Sequence, residues 1–464
     1  MAHNREHAIT FGAFGLALAA LICLLLGVPD AEAQAPQGPG SAFVGVASCA
    51  GSTCHGRSEG NGAVVRQDEL TIWQDPASPA GAHSRAFSIL SSERSRAIAR
   101  RLGLPGGDAT RAEACLACHT TPAAAARRGP RFQVSDGVGC ESCHGPAGGW
   151  LESHHAAGRS HAANVAGGMA ALEQPRVRAA VCLDCHFGSA DEGQFVTHRM
   201  MAAGHPRLAF ELDLFTTLQA HHNEDADYAA RKGRPNGART WAIGQAIAIE
   251  RSLSLFATSE RGTDGMFPEL TFFDCHSCHR RITDDPRVAP TALANPGRPI
   301  PLGMPPFNDE NMIMLAAAAR VVSAELSTRF ERDSRAFHRA VASDRISAVR
   351  AAAALRQTAR ALAAAFDSAS FGAPQTFAMI ETIATGALAE RFTDYAGSVQ
   401  AVMAIDTLLS SLVAGGAVPN ERAAAIRSDI NLAYQAVSDP NSFDPRQFRQ
   451  SLARAAAAIG RLGR

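Results

Sequence analysis

Cys115-Leu-Ala-Cys118-His119, Cys140-Glu-Ser-Cys143-His144, Cys182-Leu-Asp-Cys185-His186 and Cys275-His-Ser-Cys278-His279 repeat one short pattern four times, and Cys49-Ala-Gly-Ser-Thr-Cys54-His55 repeats it with a wider gap. Of the 11 cysteines in this 464-residue chain, only Cys23 lies outside these clusters. Zinc sites do not require a histidine directly after every second cysteine. A disulfide framework does not pair cysteines this close in sequence five times over. Cys-x-x-Cys-His is the spacing of covalent c-type haem attachment: two thiols bond the macrocycle and the adjoining histidine takes the iron from the proximal side. The reading is therefore five covalent haem c groups. Their attachment residues are Cys49 and Cys54, Cys115 and Cys118, Cys140 and Cys143, Cys182 and Cys185, and Cys275 and Cys278. Their proximal ligands are His55, His119, His144, His186 and His279. The first cluster has a four-residue loop, which leaves open an attachment through Cys54 alone.

A second strong ligand closes the iron to substrate, so the remaining histidines separate an electron carrier from an enzyme. The chain has 17 histidines. Apart from the proximal five, His3 and His7 lie near the start, His276 sits inside an attachment loop and His338 lies in a cysteine-free C-terminal part. The distal candidates are His83, His154 or His155, His198, His205, and His221 or His222. His161 is read as a non-ligand. Met200 and Met201, beside His198, are read as packing residues. His198 and His205 are seven apart, which would set them on one face of a helix, but Gly204 and Pro206 argue against a continuous one there.

The N-terminus reads as an export signal: Arg5, an apolar run from Ala8 to Val28, then Ala31-Glu32-Ala33 as a small-x-small cleavage site. The run is also long enough to span a bilayer, so retention as an anchor is the alternative, and membrane contact is expected only if the segment is uncleaved. Both readings predict the periplasm. With 44 basic and 44 acidic residues there is no basic excess to bind nucleic acid. Lys232 is the only lysine.

The chain divides into a signal (1–33), a linker (34–46), a haem-bearing part (47–285), a Pro-rich linker or strap (286–306) and a helical part (307–464). The expected class is all-α: a loop-rich multihaem domain with little regular structure, then a helical bundle. Haem surface substitutes for a side-chain core in the first part. Helices are expected from about Arg239 to Thr258 and from Leu208 to His222. In the bundle, Ile346, Val349, Leu355, Ala359, Leu362 and Phe366 form one apolar stripe, and Leu388, Phe392, Tyr395, Val399 and Val402 continue in a next helix. Four or five helices are expected there, with starts near Asn308, Asn420 and Asp444.

Cys49 through Gly56, His83-Ser-Arg-Ala-Phe87, Cys140-Glu-Ser-Cys-His-Gly-Pro146 with the later His154-His155, and the repeated clusters resemble the multihaem cytochrome c superfamily. That group includes the tetrahaem electron carrier of ammonia oxidation and the octahaem hydroxylamine oxidoreductase. The resemblance covers roughly residues 44 to 280. It implies closely stacked haem pairs, bis-histidine ligation and a periplasmic electron-transfer role. The chain departs from the enzymes of the group: no cluster ends in lysine, and Tyr228, the one tyrosine in the haem part, has no recognisable surrounding motif.

The leading expectation is a pentahaem carrier exchanging electrons with redox partner proteins, such as a membrane quinol-linked complex or a periplasmic enzyme. The alternative is an oxidoreductase with one five-coordinate haem, most naturally that of the first cluster, acting on a small nitrogen or sulfur compound. A third reading makes the helical part a docking module whose removal after Pro306 would leave haem content intact.

Overall fold

The computed structural model describes residues 42–60, 66–222, 225–262, 269–279, 297–301, 304–388 and 394–463. The signal segment, Cys23, Phe392 and most of the Pro-rich linker lie outside them. The chain is all-α, and the only β pairing among the described residues is two isolated bridges, Phe43 with Arg128 and Phe273 with Phe307.

In the haem-bearing part the helices are short: α1 (Glu69–Gln74), α2 (Glu93–Leu102), α3 (Glu113–His119), α4 (Cys140–His144), α5 (His161–Ala166), α6 (Pro175–His186), α7 (His198–Ala202), α8 (Leu212–Leu218) and α9 (Ala226–Lys232). The long α10 (Gly237–Ala257) follows, with α11 (Ser259–Gly262) and α12 (Cys275–Cys278). The bundle comprises α13 (Glu310–Val322), α14 (Ala324–Val341), α15 (Arg345–Ser368), α16 (Ala373–Leu388), α17 (Tyr395–Ala414), α18 (Asn420–Ala436) and α19 (Pro445–Leu462). That is more helices than the four or five expected. Ser323 explains one extra break: it ends α13 and caps α14 by accepting from Leu326 N. Leu388 and Tyr395, placed on one helix by their pattern, end α16 and begin α17.

Two other expectations are corrected. The helix read from Leu208 to His222 is confined to α8, because the Glu211 side chain caps Asp213 N and Leu214 N and fixes its start. Ile346 belongs to no buried stripe, being 73 % exposed; Ala348 and Ala352 take the core side of α15 instead. Alanine at these positions lets neighbouring helix axes approach closely. Asp444 caps α19 as expected, accepting from Arg446 N and Gln447 N.

The main core runs across the Pro-rich linker. Helix α10 begins at Asn236, whose side chain accepts from Arg239 N, and packs most extensively on α15. Phe256 of α10 meets Phe272, Phe307 and Phe337 at ring separations of 5.8, 5.6 and 5.5 Å. One hydrophobic cluster thus joins both sides of residues 286–306. The linker is pinned to it at Arg298, which pairs with Asp309 (2.6 Å) and Asp394 (2.8 Å) at the starts of α13 and α17. Helix α17 is long and apolar enough to cross a bilayer, but most of it is buried inside this bundle.

Arg251 of α10 donates to Asp184 (2.6 Å) and to the Gly188 carbonyl (2.9 Å), docking the fourth cluster on the core. At the other end, the buried Glu141 carboxylate accepts from Val44 N, Gly45 N and Ala147 N at 2.9, 2.8 and 2.7 Å. It ties the chain just before the first cluster to the third.

Two outcomes follow. Phe256→Ala is expected to cost about 3–5 kcal/mol, read as a lowered urea midpoint. A chain ending at Pro306 is expected to yield no soluble haem protein, because it bares the core face of α10; recovery of a soluble, fully haem-loaded fragment would contradict the shared core.

Candidate haem-binding site

A single helical turn places residues i and i+3 on one face with i+4 beside them, and four of the five clusters use it. They lie on α3, α4, α6 and α12, with His279 following α12 directly. The first cluster is a non-helical turn closed by His55 N to Cys49 O (3.1 Å) and Cys54 N to Gly51 O (2.8 Å). Its wider loop fits only because Gly56 lets the chain double back, since a Cβ there would lie 2.1 Å from the Ala50 carbonyl oxygen. Gly145 ends α4 at φ +81° and lets the chain pass Gly168 closely, with Ala170 N donating to His144 O (2.9 Å).

Each proximal histidine faces a distal candidate. Ring centres are 6.3 Å apart for His55 and His154, 6.5 Å for His119 and His205, 6.1 Å for His186 and His83, and 6.0 Å for His279 and His198. His144 faces both His221 (6.2 Å) and His222 (6.0 Å). Two imidazoles bound trans to one metal at about 2.0 Å per bond have centres roughly 6 to 6.5 Å apart. The gaps therefore fit the iron of a covalently held haem. His154 and His55 are nearly parallel at 17°, His198 and His279 lie at 33°, and the other pairs lie between 69° and 89°.

Hydrogen bonding at Nδ1 leaves Nε2 free as the ligand atom. Nδ1 of His119 bonds Ala86 O (2.8 Å), that of His154 Leu151 O (2.5 Å), that of His205 Pro206 O (2.8 Å) and that of His221 Gln219 O (3.0 Å). The His83–Phe87 stretch thus serves two clusters, with the His83 ring opposite His186 and the Ala86 carbonyl on His119. His205 is held by arginines: Arg94 donates to Gly204 O (2.8 Å) and Arg101 to Ala203 O (3.0 Å). Burial pushes His144 down to about 3, and His186 and His221 to about 4. These rings are neutral at pH 7, as a metal ligand must be.

The other candidates fall elsewhere. His155 is exposed and its ring meets His154 (5.3 Å). His161 is exposed and pairs with Glu173 (3.1 Å). The continuous helix doubted around His198 and His205 is absent: α7 stops at Ala202 and Gly204 takes φ +113°. His221 and His222 lie beyond the end of α8 rather than on it. His338 is buried in the bundle, 3.3 Å from Asp309.

The clusters are neighbours. The helices of the second and third clusters both touch that of the fourth, and the Cys49 thiol interacts electrostatically with Cys140 and that of Cys118 with Cys185. Arg207 donates to Cys275 Sγ (2.6 Å). It also lines a cleft beside His186, walled by Leu183, Phe187 and Phe210 and, from the bundle, by Glu310 and Gln400. Glu69, Glu141 and Arg207 carry no motif, and the clusters alone gave no reason to select them.

Residues 48–145 match the family model described as cytochrome c554 and c-prime. No curated protein and no solved structure matches the chain. The matched stretch contains the whole of the first, second and third clusters, together with His83. With the repeated attachment clusters and this match, the chain is a multihaem c-type cytochrome resembling the family of the electron carrier of ammonia oxidation.

Proposed function

We propose that the protein is a pentahaem, bis-histidine electron carrier of the periplasm. The observation that carries this reading is the set of five facing imidazole pairs, all at 6.0–6.5 Å. Haem supplies a one-electron iron couple; the protein sets its ligands, spacing and surroundings. An oxidoreductase with an open iron needs a proximal histidine with no ring opposite, and each of the five has one. The ligand pairs are His55 with His154, His119 with His205, His144 with His221 or His222, His186 with His83, and His279 with His198.

The nearness of the clusters supports a contiguous relay in the spatial order first, third, fourth, second cluster. The fifth joins through residues 198–207, which bring His198 to His279, His205 to His119 and Arg207 to Cys275. Cys54 and Cys278 are the two exposed attachment cysteines, which suits contact with redox partners at the first and fifth clusters. Export rests on the signal pattern of residues 1–33, and five haems rest on the five clusters.

Mass spectrometry of the purified protein is expected to give five haem additions. Electron paramagnetic resonance of the oxidised form is expected to show low-spin iron only. The near-parallel pairs His55–His154 and His198–His279 should give rhombic signals and the near-perpendicular pairs strongly anisotropic ones. A native high-spin signal worth one haem in five would sink the reading. His83→Ala or His205→Ala should keep all five haems and turn one high-spin, whereas His155→Ala and His161→Ala should leave the spectrum unchanged.

A further inference from the structure

The ligand His55 differs from the others in what its Nδ1 touches. Where His119, His154, His205 and His221 use a neutral backbone carbonyl, His55 Nδ1 lies 2.9 Å from the Glu69 carboxylate. Glu69 is 6 % exposed. It heads α1, which is placed by Leu70 N donating to His55 O (3.0 Å), so the first cluster and its partner are built from one local unit. The Glu69 carboxylate is therefore a buried acceptor whose imidazole hydrogen bond is to His55. The other carboxylate oxygen lies 3.7 Å from His222 Nδ1. That is too long for a hydrogen bond but within ion-pair reach, so one carboxylate stands between the first cluster and the third.

We propose that Glu69 is a positioning residue that draws the His55 Nδ1 proton toward a full negative charge and so selectively lowers the potential of the first haem. A proximal imidazole bonded to a carboxylate is a stronger donor than one bonded to a carbonyl. Stronger donation favours the ferric state, and hydrogen bonding around the ligands is one of the protein's levers on haem potential. This role rests on the first cluster being a haem site, as proposed above. It gives the wide-loop cluster a distinct electronic setting without an open iron.

The test is a redox titration at pH 7 of the full five-haem protein, followed by optical and electron paramagnetic resonance spectra, in wild type, Glu69→Gln, Glu69→Asp and Glu173→Gln. Glu69→Gln keeps an acceptor of the same shape without the charge. It is expected to move one rhombic haem to higher potential and alter its g-values, move the His144 haem less, and leave the other three in place. Glu69→Asp keeps the charge and should return the couple toward wild type. Glu173→Gln removes a surface carboxylate paired with the non-ligand His161 and should shift nothing. Five haems with unchanged potentials in Glu69→Gln, or five shifting together, would overturn the inference alone. A mass showing four haems and a free first cluster would overturn both it and the five-haem reading.

Discussion

On the proposed ligation, an imidazole fixed beside its attachment cysteines would reach the iron from one side only, and each cluster would be complete only with a second ring held opposite at one separation. Much of the haem-bearing part follows from that requirement. Its helices are short because their task is to aim one ring each. Turns at Gly56, Gly145 and Gly204 bend the chain where a continuous helix would carry a histidine past its target. The backbone carbonyls of Ala86, Leu151, Pro206 and Gln219 orient the rings through Nδ1, so much of the ligand geometry is written in main-chain conformation.

The cofactor was legible in the sequence because thiol spacing is a local property, and the distal candidates because they were few. Their pairing was not legible. Nothing local in His-Ser-Arg-Ala-Phe says that His83 meets His186, 103 positions on in the numbering, rather than the nearer His119. The choice between His154 and His155 turns on which side of a short turn faces inward, below the resolution of pattern reading. The pair His221 and His222 stays open in the structure too, since both rings sit at a ligand's distance from His144. Glu69 and Glu141 were invisible because single carboxylates carry no periodicity; their meaning comes from the groups that donate to them.

The helical half was legible as a bundle and misjudged in detail. Large apolar residues mark a stripe, but in α15 alanines occupy much of the closest contact, so Ile346 could sit at the surface without loss. The Pro-rich stretch also marks a change of composition more sharply than a change of packing. Phe256 and Phe272 from one side of it and Phe307 and Phe337 from the other make one aromatic nest. The surroundings of the fourth cluster, docked through Arg251, thus rest on helices with no cysteine of their own.

The direction of each pairing along the chain has a consequence for biogenesis. On the proposed export and ligand pairing, a polypeptide threaded across a membrane from its N-terminus would present His83 before Cys182 and His198 before Cys275, so the fourth and fifth clusters would meet ligands that have already emerged. The first three must wait, His55 for His154, His119 for His205 and His144 for the pair at 221 and 222. During that interval a haem held there would have one imidazole only, and the wait is longest for the first cluster, 99 positions from His55 to His154, against 86 from His119 to His205 and 77 or 78 from His144 to His221 or His222. The second and third would then close nearly together, when the segment from His205 to His222 comes through.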